Sequence, residues 1–82
     1  MNNETIKATF NKMLDLVIEE KADQIERLNC KSEIVQAKTF YTDELLESLA
    51  EEENSIIDLN EYLQNTAHDY LNATLEEIEK EN

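Results

Sequence analysis

The sequence predicts an all-α protein, a short three-helix antiparallel bundle in which residues 1–82 form a single domain. The chain contains no Gly and no Pro, and tight hairpin turns, phosphate-binding loops and β-bulges depend on these residues. Residues of high helix propensity, such as Glu, Leu, Ala and Lys, are abundant, and apolar residues recur with helical spacing. A chain of this length buries only about 60% of its unfolded surface, so the core must be small.

The first predicted helix covers residues 4–29. Its apolar side chains form one broad face when residues are placed about 100° apart. They are Ile6, Phe10, Met13, Leu14, Val17 and Ile18, with Leu16 at the edge and Ile25 and Leu28 continuing the pattern. A face this broad predicts contact with two neighbours. Asn29 and Ser32 are stop and restart signals, and the apolar phase jumps near Cys30, so we expect the helix to end there.

The second and third predicted helices cover residues 33–53 and 56–80. The second stripe consists of Ile34, Ala37, Tyr41, Leu45 and Leu49, with Val35 and Leu46 beside it. The third consists of Ile56, Leu59, Leu63, Ala67, Tyr70, Leu71 and Ile78. Ser55 and Asp58 have the spacing of a capping box at the start of the third helix.

The apolar spacing also permits one uninterrupted helix over residues 33–80, because only Glu52 is out of place between Ile34 and Ile78. The first helix alone could not cover so long a stripe. This alternative is a long two-helix hairpin completed by dimerisation. Because the stripes offer more apolar surface than one short hairpin can cover, we expect a homodimer or a small homo-oligomer.

No combination of residues predicts catalysis, so we expect no enzyme activity, no metal and no cofactor. Cys30 and His68 are the usual nucleophile and base, but they belong to different helices and lack a catalytic signature. We interpret Cys30 as an inert small residue and His68 as a ring packed at the edge of the third stripe. A metal site in a bundle favours Glu three residues before His, where this chain has Asn65.

Charge is distributed unevenly along the chain, which has 7 basic and 20 acidic side chains. Residues 1–40 have a net charge of −1 and residues 41–82 a net charge of −12. An acidic face can serve solubility alone, or it can steer the approach of a protein partner with a basic surface. For the second role we select the partner-binding residues Asp43, Glu44, Glu47, Glu51, Glu52 and Glu53.

The negative charge also predicts no binding to nucleic acid and no direct membrane insertion. The aromatic side chains are interpreted as core or core-edge residues, because no basic groove accompanies them as a base-stacking site would require. They are Phe10, Phe40, Tyr41, Tyr62 and Tyr70. A single Cys, the absence of a long apolar run and a start without signal-peptide features predict a cytoplasmic location.

The opening residues Met1-Asn2-Asn3-Glu4-Thr5-Ile6-Lys7, in a very short chain without Gly or Pro, resemble the small accessory proteins of T-even bacteriophages. Among these, the chain is most similar in size and overall character to the lysis-inhibition accessory proteins. The resemblance implies a soluble antiholin-type protein that binds the cytoplasmic part of the phage holin and delays host lysis. It assigns no functional residue. An acidic helical surface suits a basic cytoplasmic segment of such a partner.

Two other classes of function fit the same residues. An acidic DNA mimic would present carboxylates over residues 43–76 in place of phosphates and inhibit a host DNA-binding protein. A coiled-coil subunit would use the apolar stripes for self-association, although the heptad spacing is broken. A pull-down distinguishes the three classes of function. It would capture a membrane-protein segment, a DNA-binding protein or only further copies of the chain.

Overall fold

Four α-helices form the structure, a computed structural model that describes residues 3–52 and 56–81. They are α1 (Asn3–Glu20), α2 (Ala22–Leu28), α3 (Lys31–Glu52) and α4 (Leu59–Glu81). The described residues contain no strand, which confirms the all-α prediction. The predicted count of three helices is wrong for these residues, because the first predicted helix is divided at Lys21.

The division at Lys21 is slight. Lys21 departs from helical dihedral angles, with φ −101° and ψ 15°. Its N–H still donates to the carbonyl of Val17 at 3.0 Å, and its carbonyl still accepts from the N–H of Ile25 at 2.9 Å. The helical hydrogen bonds therefore continue across the junction, and α1 and α2 together occupy the range predicted for one helix.

A left-handed residue ends α2. Asn29 has φ 51° and ψ 45°, its N–H donates to the carbonyl of Glu26 at 3.0 Å, and the N–H of Cys30 donates to the carbonyl of Ile25 at 3.2 Å. This pair of bonds is a Schellman motif. Asn is the residue other than Gly that best tolerates this conformation. The predicted break near Cys30 is therefore confirmed.

The connection between α3 and α4 excludes the alternative of one helix over residues 33–80. Residues 56–58 are not helical, and α4 begins at Leu59 instead of the predicted residue 56. Asp58 caps α4, because its Oδ1 accepts a hydrogen bond from the N–H of Glu61 at 3.3 Å. The predicted cap residue Ser55 lies outside the described residues.

The α1–α2 segment, α3 and α4 alternate in direction. Ile6 of α1 lies beside Leu59 of α4 at one end of the molecule, and Arg27 of α2 forms an ion pair with Glu79 of α4 at the other end. The α1–α2 segment and α4 therefore run in the same direction, and their contact is the most extensive one. Because Leu49 near the end of α3 also lies beside Ile6, α3 runs the opposite way.

One apolar cluster receives buried side chains from all four helices. Its members are Ile6, Phe10, Leu14, Val17, Ile25, Cys30, Ile34, Tyr41, Leu45, Leu63, Ala67, Leu71 and Leu75. Phe10 meets Tyr70 edge to face, with ring centroids 6.4 Å apart. The hydroxyl groups of Tyr41 and Thr74 are hydrogen bonded. The tertiary packing thus joins α1, α3 and α4 through one set of aromatic contacts.

The predicted stripes differ from the observed core at a few positions. Leu75 and Thr42 are buried although neither was part of a predicted stripe. Thr42 is tolerated because its hydroxyl donates to the carbonyl of Lys38 at 2.8 Å. Leu16 and Val35, expected at the edges of the stripes, are exposed, because each lies too far around its helix to reach the neighbouring helices.

Candidate protein-binding surface

Four of the selected carboxylates lie on one side of α3, which we call the acidic face: Asp43, Glu44, Glu47 and Glu51. Spacings of three and four residues place side chains on the same side of a helix. Glu44 is half-buried and the other three are exposed. The buried residue Leu45 points to the other side of α3, into the core. The acidic face is therefore directed away from the bundle.

Phe40 lies at the N-terminal end of the acidic face. It precedes Asp43, Glu44 and Glu47 by three, four and seven residues, and its side chain is 62% exposed. The prediction that Phe40 belongs to the core or its edge is wrong. Tyr41, the next residue, takes the core position, and about 100° of helical rotation separates the two side chains. An exposed aromatic ring thus lies beside the carboxylates, at one end of their row.

The acidic face has no basic partner among the described residues. The ion pairs among the described residues join Arg27 to Glu79 and Lys38 to Asp15. Neither pair includes a carboxylate of the acidic face. The last turn of α3 contains no basic residue. The negative end of the helix dipole therefore adds to the charge of Glu51, and the potential above this surface is strongly negative.

The two remaining selected residues are not part of this arrangement. Glu52 lies beside α4, where its Oε2 accepts a hydrogen bond from the hydroxyl of Tyr62 at 3.4 Å. Burial, followed by the nearby Glu52 carboxylate, raises the pKa of Tyr62. Glu52 thus links α3 to α4 instead of extending the acidic face. Glu53 lies outside the described residues.

The residues considered for catalysis belong to different parts of the fold, with Cys30 between α2 and α3 and His68 on α4. Cys30 is only 2% exposed, and its Sγ lies 3.8 Å from the carbonyl of Ile25 as a weak hydrogen-bond donor. Burial, followed by the charge of Glu33, raises the pKa of the Cys30 thiol, so the reactive thiolate is disfavoured. His68 is half-buried on α4. The burial of Cys30 agrees with its interpretation as an inert residue.

Within residues 3–52 and 56–81, no three or more His, Cys, Asp or Glu side chains come together as they would around a metal ion. None of the helices in the same part of the chain combines the length and the apolar character that a membrane span requires.

Comparison with known proteins adds no relative. No protein-family model, no curated protein and no solved structure matches this chain. The functional interpretation therefore starts from the surface chemistry of the chain itself.

Proposed function

We propose that this protein is a non-enzymatic antiholin-type lysis-inhibition protein that binds a basic cytoplasmic segment of a phage holin and thereby delays host lysis. The resemblance to the lysis-inhibition accessory protein RIII of T-even bacteriophages suggests the partner. The acidic face supplies the chemistry of binding. In this proposal the protein acts in the host cytoplasm as a homodimer or small homo-oligomer, and the antiparallel bundle is the rigid support for the acidic face.

One observation carries the proposal: Phe40 is exposed at the end of a row of carboxylates that have no basic partner among the described residues. Exposing a large aromatic ring gains nothing for folding, whereas aromatic residues in an interface contribute much of the binding energy. Carboxylates beside such a ring attract and orient a basic partner. The combination is typical of a surface that binds protein.

The spacing on α3 suits a helical partner. Asp43, Glu47 and Glu51 repeat every four residues, which places them about 6 Å apart along the helix axis. A basic amphipathic helix with Lys or Arg at the same spacing would pair with them in register. An aliphatic or Arg side chain of the partner would pack on the ring of Phe40.

Binding would delay lysis by mass action. A holin whose cytoplasmic segment is held by this protein is withdrawn from the population that permeabilises the membrane, in proportion to the fraction bound. The expected delay therefore depends on the affinity of the acidic face and on the concentration of the protein, without any catalytic turnover.

The test compares variants of the acidic face with a matched control. Phe40→Ala and the double variant Glu47→Lys with Glu51→Lys should each weaken binding to a peptide of the holin cytoplasmic segment by about tenfold or more. They should shorten the lysis delay in parallel. The control, Glu76→Lys with Glu77→Lys, reverses two exposed charges on α4. It should retain most of the affinity for the holin peptide and most of the lysis delay.

Variants of the acidic face that bind the holin peptide normally and still delay lysis would show that this surface serves solubility only. A wild-type protein that ignores the holin peptide and competes with DNA for a DNA-binding enzyme would instead establish the DNA-mimic function.

A further inference from the structure

A groove lies beside the junction of α1 and α2, apart from the acidic face. It extends from the α1–α2 segment to Lys31 at the start of α3 and has a volume of about 590 Å³. Lys31 precedes Asp43 by 12 residues, a distance of about 18 Å along α3. The volume of the groove is within the range of about 300–1,000 Å³ that is usual for ligand sites.

The floor of the groove is apolar and has helical spacing. Ile18, Ala22 and Ile25 lie at positions i, i+4 and i+7 and line the groove together. Ile25 is buried, Ile18 is half-buried and Ala22 is exposed. Because Ala22 has only a methyl group between two isoleucines, the floor is open at its middle and can receive an apolar side chain.

The rim of the groove is acidic. Asp15, Glu19 and Glu26 line it and are exposed. Asp15 is paired with Lys38, whereas Glu19 and Glu26 have no ion pair among the described residues. Lys31 is the one basic residue among the described residues that line the groove. The rim therefore carries a net negative charge beside an apolar floor.

We infer that this groove is a second docking site, which binds a short amphipathic helix of a partner protein with aliphatic side chains on one face and Lys or Arg beside them. The aliphatic side chains would enter the groove over Ala22, as in other helix-in-groove complexes. The basic side chains would pair with Glu19 and Glu26. Charge complementarity selects this occupant, because the acidic rim attracts basic side chains and repels an acidic segment.

The test uses a short synthetic amphipathic helix of Leu and Lys as the probe, with a Leu and Glu peptide of the same pattern for comparison. The receptor is the full chain with Glu47→Lys and Glu51→Lys, so that the acidic face does not compete for the probe. We expect the Leu and Lys peptide to shift the backbone amide resonances of Ile18, Ala22 and Glu26. Ala22→Trp should fill the groove and weaken binding by about tenfold or more.

Ala73→Trp is the matched control, because Ala73 is also an exposed helical alanine, located on α4. It should leave the affinity unchanged. Equal binding by the Ala22→Trp and Ala73→Trp proteins, or amide shifts located away from the α1–α2 junction, would overturn the proposal.

A second variant keeps the test decisive if Ala22→Trp reduces folding. Glu19→Lys with Glu26→Lys changes only exposed positions, and it should reverse the preference from the Leu and Lys peptide to the Leu and Glu peptide. An unchanged preference would overturn the proposed site. Because these experiments use a chain whose acidic face is altered, their outcome is independent of binding to the holin peptide.

Discussion

Phe10 and Phe40 have the same side chain and opposite surroundings. Phe10 is fully buried and meets the ring of Tyr70 edge to face. Phe40 is 62% exposed, although the ring of Tyr41 lies 6.4 Å away. Burial of an aromatic side chain contributes strongly to stability, whereas an exposed one contributes little. The two positions should therefore separate the stability of the protein from the binding that we propose.

Alanine substitution of the two residues should show this separation. Phe10→Ala should lower the free energy of unfolding by about 3–5 kcal/mol, because it removes buried contacts and leaves a cavity. Phe40→Ala should change it by less than about 0.5 kcal/mol. Urea denaturation followed by circular dichroism measures both values. Similar losses for the two variants would show that Phe40 is also a core residue.

Tyr41 makes the stability sensitive to alkaline pH. Burial raises its pKa, although the hydrogen bond with Thr74 acts in the opposite direction. A group whose pKa is higher in the folded protein contributes stability that is complete below its ordinary pKa and is lost as the pH rises through the folded value. Since the ordinary pKa of Tyr is about 10, this contribution should be constant at neutral pH and decline in the alkaline range.

Tyr41→Phe tests the alkaline decline. The variant loses a hydrogen bond, which costs about 1 kcal/mol at neutral pH, but its stability should fall less steeply above about pH 10 than that of the wild type. Thermal unfolding recorded across this range gives the two slopes. Tyr62 and Cys30 also have raised pKa values, so part of the decline should remain. Identical slopes would show that the ionisation of Tyr41 is not coupled to unfolding.

At the scale of the elements, the turn after α2 depends on Asn29. Asn29→Gly should maintain or raise the free energy of unfolding, because Gly adopts the left-handed conformation without steric cost. Asn29→Val should lower it by about 1–2 kcal/mol. As a control, Asn72→Gly, at an exposed position inside α4, should lower it by about 0.3–0.5 kcal/mol, because Gly has a lower helix propensity than Asn. Chemical denaturation should therefore show no loss of stability for Asn29→Gly and a loss for Asn72→Gly. Equal losses would contradict the role of Asn29.

The end of α3 is less stable than it could be. Glu51 lies in its last turn, where no basic residue offsets the negative end of the helix dipole. Glu51→Lys should therefore raise the free energy of unfolding by about 0.3–1 kcal/mol at low ionic strength, while it slows association with a basic partner. Thermal unfolding and stopped-flow binding give the two values. A loss of stability would contradict the proposal that this charge is retained for binding.

The elements also show what the sequence can predict. Apolar periodicity predicts that α3 continues through Thr42, and Asn29 predicts the end of α2. The division at Lys21 has no Gly, Pro or phase change to indicate it. The charges of the acidic face are visible in the sequence, and the position of Glu52 two turns after Leu45 is a signal for its different location. Its contact with Tyr62, like the groove beside Ala22, depends on tertiary packing and has no local signal.

For the whole molecule, the balance between apolar surface and net charge should control self-association, which stays a prediction. Leu16, Val35, Phe40 and Ile57 are exposed, and the net charge is −13. We expect light scattering at micromolar concentration to give a mass above the monomer value of 9.6 kDa. The measured mass should increase with salt, because screening reduces repulsion between copies. A constant monomer mass at every salt concentration would refute self-association.

The extensive contact between the α1–α2 segment and α4 has a consequence for synthesis on the ribosome. These elements are the first and the last of the described chain, so the apolar side of α1 has no partner from α4 until the final helix emerges. At about 5–20 residues per second, the interval between completion of α2 and completion of α4 is roughly 3–10 s. The nascent chain therefore presents the apolar side of α1 to chaperones and proteases throughout that interval.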